Sequence, residues 1–430
     1  MGGVGLLLLT ACSSAAGETG ETTGTPTTTT TSGSSDGTAA TTAGSTADPS
    51  TSTGPTGTDP TSDPTDDSTA PTSSDPTTTT TDPTDPTDPT GEPCDDPCPA
   101  PGGGITWDCQ RRFVYGVNYA WHHFAGDFGG IPQWGQAGVS DQPEVIAGEL
   151  QAMRAAGVSV IRWWLFPDFR GAGVTFDDND APTGLGGTAL ADLATALDLA
   201  QEADVYLMPC LFSFDNFRPS QDVSGIWVPG IQPIVTDEAK RAALLEEVVR
   251  PLAAAVAAHP YGHRVIAWDV INEPEWAIVG PSPYGDMDYT PNGELQAISH
   301  AQMEAFVADT IAVLRDESDA LITVGGAAMK WAKAWSQVDI DFYQFHIYDW
   351  VDAYWPYDMS PADFGVDDKP VVMGEFPIGG LGSADYGTML AAWWELGYAG
   401  ALGWQYVEAS PEQLGAVKAF SEQHSCEVSF

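Results

Sequence analysis

Beyond residue 112 the apolar positions fall into two textures that alternate along the chain. Short runs are apolar almost throughout and rich in β-branched and aromatic residues: FVYGVNYA (113–120), VSVIRWWLF (158–166), VYLMPCLF (205–212), VIAWDVIN (265–272), LITVGGA (321–327), FYQFHIYD (342–349), PVVMGEF (370–376) and GALGWQY (400–406). Between them lie stretches whose apolar residues recur every three or four positions: EVIAGELQAMRAAG, LADLATALDLAQEA, EEVVRPLAAAVAAH, MEAFVADTIAVLRDE, MLAAWWELGYA and EQLGAVKAFSEQH. The first texture predicts strands buried on both faces. The second predicts amphipathic helices, several ending in Gly or His as helix C-termini do. The connection after the fifth run carries the weakest helical pattern. Strands apolar on both faces and separated by helices belong to a parallel sheet covered on both sides. Eight such units in about 320 residues fit a closed (β/α)8 TIM barrel. An open doubly wound sheet is the alternative, but no Gly-rich phosphate loop follows the first strand.

Composition changes the picture at the N-terminal end. The chain has 430 residues and a formal net charge of −45, and neither Lys nor Arg occurs before Arg111. The first hundred residues are mostly Thr, Ser, Gly, Pro and Asp, too poor in apolar groups to offset the entropy of ordering them. The first Trp is Trp107. The expected organisation is a signal over 1–12, a disordered low-complexity linker over 13–104, and a folded barrel domain over 105–430. The opening MGGVGLLLLTAC is too short to span a bilayer as a helix. It resembles the end of a bacterial lipoprotein signal, with Leu9-Thr10-Ala11-Cys12 as the lipobox and Cys12 as the lipidated residue. The usual basic region ahead of it is missing, as in a truncated start. The resemblance implies an exported protein, lipid-anchored to the cell envelope or secreted, that touches a membrane only through its anchor. The acidic balance disfavours nucleic acid, whose backbone needs cationic contacts, and also acidic polysaccharides. A monomer is expected.

Within the apolar runs, a few polar residues need explaining. In such a barrel, active sites form at the C-terminal ends of the strands. Glu273 ends the fourth run in VIAWDVINEPEW, and Glu375 ends the seventh in VVMGEF. Strands four and seven lie across the ring from each other, so both carboxylates can face one cleft. Two carboxylates flanking a sugar are the minimal equipment for cutting a glycosidic bond, one protonated and one ionised. Arg162, in VIRWW, is a cation inside an apolar strand and is costly to bury unless paired. His346 and Tyr348, in FHIYD, are two apart and share a strand face.

These residues carry a resemblance. WDVINEP together with VVMGEF resembles the retaining glycosidases of the cellulase-like superfamily, most closely glycoside hydrolase family 5, over the whole barrel from about 112 to 424. The resemblance implies a retaining hydrolase of β-linked neutral polysaccharide, with Glu273 as acid/base and Glu375 as nucleophile. It implies that Asn272 holds the sugar 2-hydroxyl and that Arg162 keeps Glu375 ionised. Tyr348 would donate to Glu375, His346 would contact the acid/base side, and Trp404 would floor the subsite on the nonreducing side of the cut. No cofactor or metal is expected. Many members carry a His after strand three, where this chain reads LFSFDNF with Asp215 or Asn216. That departure favours an endo-β-1,4-mannanase over a β-glucanase or cellulase; exo action stays open. A non-catalytic glycan-binding lipoprotein is the alternative of another class, and a structural surface protein would leave Arg162, His346 and Tyr348 unexplained.

Further residues are weighed by position. Trp121 and His122 follow the first strand and either line the cleft or pack within their loop. Trp164 shares the parity of Arg162 and Trp163 does not, so at most one faces the cleft. The acidic runs FDDNDAP (176–182) and YGDMDYTPNGE (284–294) lack the spacing of an EF-hand and read as solvated loops. Setting Cys12 aside, five of the six cysteines remain, so one is left over. The first and last elements of a closed barrel are neighbours. The expectation is therefore a Cys109–Cys426 bridge, with Cys94–Cys98 closing a small loop and Cys210 free.

Overall fold

The structure, a computed structural model, describes residues 96, 98–100, 103–349 and 356–430. Eight parallel strands close into a barrel in chain order: β1 (Val114–Asn118), β2 (Val160–Trp164), β3 (Tyr206–Ser213), β4 (Ala267–Asn272), β5 (Leu321–Gly326), β6 (Tyr343–His346), β7 (Val371–Pro377) and β8 (Gly400–Trp404). Each falls on one of the eight apolar runs, β3 and β7 extending one residue past theirs. The longer helices among the crossovers are α1 (Pro143–Ala155), α2 (Ala189–Ala203), α3 (Glu238–Leu244), α4 (Arg250–Ala258), α5 (His300–Glu317), α6 (Tyr386–Glu395) and α7 (Pro411–Gln423). Their three-to-four periodicity is what packs. On α1, Ile146, Leu150 and Met153 form the buried stripe. Start signals are equally explicit: Ser299 with Gln302 and Ser410 with Gln413 form capping boxes at α5 and α7. Helices α3 and α4 are joined by a π-turn over Leu245–Val249. Pro251 follows it, and lacking an N–H it cannot donate back to the preceding turn. Between β5 and β6 the structure forms only a 3-10 turn, Met329–Trp331.

The N-terminal face of the barrel is plugged. A hairpin of Ile105–Trp107 and Gln110–Arg112 lies before β1. Its Ile105 joins Val114, Val160, Met208, Ile266, Phe342, Val372 and Leu402 in one apolar cluster. Arg112 then ties the segment before the hairpin to the C-terminal tail. Its guanidinium binds the Asp96 carboxylate at 2.8 Å, the Cys98 carbonyl at 3.0 Å and the Ser429 carbonyl at 2.7 Å. Ala100 is fully buried and its N–H bonds the Arg111 carbonyl. The fold therefore reaches back past residue 105 to Asp96. The lipobox and nearly all of the linker lie outside the described residues.

This arrangement overturns the expected cysteine pairing. Cys426 is bridged to Cys98, with Cα atoms 5.9 Å apart and a sequence separation of 328. The Cys109–Cys426 and Cys94–Cys98 pairs are both excluded by it. Cys109 is disulfide-bonded too, though not to Cys426; Cys94 lies outside the described residues. The physical reason is the hairpin. Asp108 and Cys109 occupy its turn in left-handed backbone conformations, while the Arg112 contacts bring Cys98 to the C-terminal tail. Cys210 is free and buried, as expected.

Candidate active site

The strands present their C-terminal ends to one cleft, and two breaks in register decide what enters it. Along β4 and β5, Asp269 pairs with Thr323 but Asn272 pairs with Gly325. One extra residue on β4 sits between, so Asp269 and Asn272 face the same way although they are three apart. The same occurs on β7: Phe345 pairs with Met373 and His346 with Glu375.

Arg162 is the hub. It is fully buried. Its Nε donates to Asp269 Oδ2 at 2.8 Å, Nη1 to Glu375 Oε1 at 2.7 Å and Asn118 Oδ1 at 2.9 Å, and Nη2 to Asn272 Oδ1 at 2.8 Å. Two carboxylates and two amides thus compensate the desolvation that a lone buried cation would suffer. Asp269 is held in turn by the Gly325 N–H at 2.9 Å and Gln344 Nε2 at 2.8 Å. There is no room beside them: a Cβ on Gly325 would lie 2.8 Å from Arg162 Nη2.

Glu273 stands where β4 ends, with φ 49° and ψ 47°. A non-glycine residue in this left-handed region costs on the order of 1–3 kcal/mol and persists only where its surroundings fix it. Here the Glu273 N–H bonds the Gly325 carbonyl at 2.6 Å, and Trp276 Nε1 donates to Glu273 Oε2 at 2.9 Å. His346 Nδ1 lies 2.7 Å from Glu273 Oε1 and 3.5 Å from Glu375 Oε2. Tyr348 donates to Glu375 Oε2 at 2.8 Å. Ligand-type atoms of Glu273, His346 and Glu375 all fall within 4.8 Å of one another.

The electrostatics separate the two carboxyls. Burial raises Glu273 to about 7, against the Trp276 hydrogen bond and the distant Arg162 charge, with Asp215 pushing the same way as burial. Burial raises Glu375 as well, but Arg162 and the Tyr348 hydroxyl act to lower it. Arg162 and Tyr348 both touch Glu375 and stabilise its ionised form; neither touches Glu273. Burial also drops His346 to about 4, so the ring is neutral at pH 7. The arrangement can therefore hold one proton on Glu273 and a negative charge on Glu375.

An aromatic cluster lies beside Arg162. Trp404 and Trp164 have ring centroids 5.6 Å apart, and Trp121 lies 5.3 Å from Trp164. Arg162 lies 5.5 Å from the Trp164 ring. Trp163 turns the other way, into the outer core, and donates to Asp127. His122 does not join the carboxylates; its Nδ1 pairs with Glu149 of α1 at 3.2 Å. Asn216 is buried and accepts from the Ser213 N–H, whereas Asp215 pairs with Arg218 at 3.1 Å. Of the acidic runs, the first serves a turn, with Asp177 accepting from the N–H groups of Asn179 and Ala181, and in the second Asp286 accepts from the N–H of Lys333 in the loop after β5.

Four residues of the site were missed from the sequence: Asn118, Asp269, Trp276 and Gln344. Asp269 and Asn118 carried the signal that singled out Arg162, a polar group inside an apolar strand. Trp276 had none, because its direction depends on the short helical turn after Pro274.

No protein-family model matches the chain. A mannan endo-1,4-beta-mannosidase of Cryptopygus antarcticus is 25% identical over 339 residues, covering 71% of this chain and 84% of the relative. Among solved structures, a beta-1,4-mannanase of the sea hare Aplysia kurodai aligns with a TM-score of 0.62 at 23% identity, covering 76% of this chain and 97% of that one. A beta-mannanase of the mussel Mytilus edulis also gives 0.62, at 22% identity over 77% and 98%. The chain shares the barrel fold of these proteins along nearly their whole length.

Proposed function

We propose that the chain is a retaining glycoside hydrolase of family 5 type that cleaves β-1,4-mannan internally. The observation that carries this is the Glu273–Glu375 pair. Its oxygens approach within 4.8 Å, near the roughly 5–5.5 Å separation of retaining enzymes and short of the about 6.5–9.5 Å that an inverting water requires. Glu375 attacks the anomeric carbon while Glu273 protonates the leaving oxygen. The bond to the leaving sugar breaks as the Glu375–sugar bond forms. Glu273, now ionised, takes a proton from water, and that water displaces Glu375 with a second inversion. Asn272, pinned by Arg162, presents its remaining amide protons to the sugar 2-hydroxyl. Trp404 stacks under the ring of that sugar. The choice of mannan is supported by the relatives and by the absence of a His after β3. Among the described residues, no helix is long and apolar enough to cross a membrane. Cys12 in its lipobox is the proposed point of lipid attachment.

The test is product profiling of the purified chain on mannan, cellulose, xylan and mixed-linkage glucan. Manno-oligosaccharides of mixed length are expected from mannan. Glu375→Ala should lower kcat by about three orders of magnitude or more. Activity confined to cellulose or xylan would refute the substrate, and unchanged turnover in Glu375→Ala would refute the mechanism.

A further inference from the structure

An exposed indole stands on the wall of the same face. After β3 the chain forms a hairpin, Gln221–Val223 with Ile226–Val228. Its turn is Ser224-Gly225, both at positive φ, the primed geometry that two-residue hairpins prefer. Ile226 and Val228 are buried while Trp227, between them, is 57% exposed, the most exposed large hydrophobic side chain among the described residues. Trp227 is not loose. Its Nε1 donates to Asp180 Oδ1 at 2.8 Å, in the turn of the hairpin that follows β2, and Ser220 reaches the same carboxylate at 3.3 Å. Holding so much apolar surface in water at a fixed orientation is unfavourable unless something covers it.

A contact chain links this hairpin to the cleft floor. Trp121, beside Trp164 and Trp404, meets Phe124 at 4.8 Å between ring centroids. Arg170 lies over Phe124 at 4.5 Å and over Trp134 at 5.8 Å, and is held from below by Asp168. Trp134 Nε1 reaches the Ser224 carbonyl at 3.4 Å, at the tip of the Trp227 hairpin. Trp121, Phe124, Arg170 and Trp134 are all half-buried. Each therefore keeps part of its surface in water, so the contact chain from Trp121 to the Trp227 hairpin runs along the solvent side of these loops.

We propose that the loops after β1, β2 and β3 carry a distal glycan-binding track that ends on Trp227 and holds the polysaccharide beyond the bond being cut. The proposal rests on the glycoside hydrolase reading above. The chemistry fits a neutral β-linked hexose chain, whose C–H faces stack on aromatic rings while its hydroxyls meet the Asp180 and Arg170 groups at the edges. A charged polymer would find few fixed countercharges here, since Arg170 is already paired with Asp168.

The test uses the full chain in a Glu375→Ala background, so that the polymer is bound without being cut. Affinity electrophoresis in soluble galactomannan compares it with the same protein carrying Trp227→Ala or Trp227→Phe. Trp227→Ala should raise the apparent Kd about fivefold, or about 1 kcal/mol at 1.4 kcal/mol per decade. Trp227→Phe should restore most of the binding, because a ring remains. With Glu375 intact, Trp227→Ala should lower kcat/KM on polymer relative to mannotetraose by a similar factor. An unchanged Kd and ratio would overturn the track, as would equal loss on both substrates with a lowered melting temperature. If the parent fails to bind or cut any mannan, the substrate assignment fails separately. Gels of β-glucan and xylan then decide the track: Trp227-dependent retardation upholds it, and its absence overturns it.

Discussion

Arg162 sits where an isolated charge could not, and its surroundings explain the order of ionisation in the cleft. Its guanidinium touches Glu375 and not Glu273, so both carboxyls are buried and feel its charge, but only Glu375 has it in direct contact. In the proposed mechanism Glu273 must be protonated to act, and with its carboxyl at about 7 the proton is lost as pH rises through that value. The rate kcat should therefore decline above about pH 7. The Trp276 hydrogen bond stabilises the ionised form of Glu273. Trp276→Phe removes it, so the alkaline limb should move to higher pH. A pH–kcat profile of the two proteins checks this, and a limb that stays or moves down contradicts it. The key residues were legible because each is a polar interruption of an apolar run. Asp269 carried the same mark and was passed over. His122 was legible only as an uncertain neighbour of the cleft, and its bond to Glu149 depends on how the loop folds back onto α1.

At the scale of strands, the alternation of side chains predicted eight elements but not all of their faces. Parity placed Trp164 with Arg162, where the structure has it. Parity failed at Asp269 and Asn272, because the register break on β4 turns both inward, and no residue type announces such a break. The consequence is a crowded layer in which β5 must come close. A Cβ on Gly325 would also lie 3.0 Å from Asp269 Oδ2 and 3.2 Å from Gln344 Nε2. Contacts this short displace the Arg162 network, so Gly325→Ala should lower kcat by about tenfold or more, the effect of a misplacement of a fraction of an ångström in catalytic groups. The crossover helices should remain, so far-ultraviolet circular dichroism should be unchanged. Wild-type kcat in Gly325→Ala would show that the layer tolerates a shift. The helical stretch with Pro251 was read as one helix; the π-turn before the proline was hidden, since it is a response to a missing N–H rather than a pattern of its own.

Over the whole barrel unit, the first described residues and the C-terminal tail meet beside the hairpin before β1. The Cys98–Cys426 bridge closes a loop of more than 300 residues, for which the chain-entropy account gives about 5–6 kcal/mol, often less in practice. Composition placed residues 96–100 in the linker, because nothing in CDDPCPAPGG carries a strand or helix pattern. Asp96 and Cys98 are nonetheless tied to Arg112 and Cys426. Two truncations separate linker from fold. Removing 13–90 should leave the melting temperature and specific activity unchanged. Removing 13–100 should lower the melting temperature by several degrees or more, because it also removes the bridge and the Asp96 partner of buried Arg112. Equal melting temperatures for the two would place the boundary back at 105.

The proposed function makes one chemical statement, that Glu375 and Glu273 hydrolyse a β-1,4-mannan chain by two successive inversions at the anomeric carbon. The most direct measurement is proton NMR of the anomeric region in the first minutes after enzyme is added to mannohexaose, before the new reducing end mutarotates. The account predicts that the β-anomer appears first and the α-anomer grows in only at the spontaneous rate. An initial α-anomer, or no cleavage of mannohexaose at all, would contradict it.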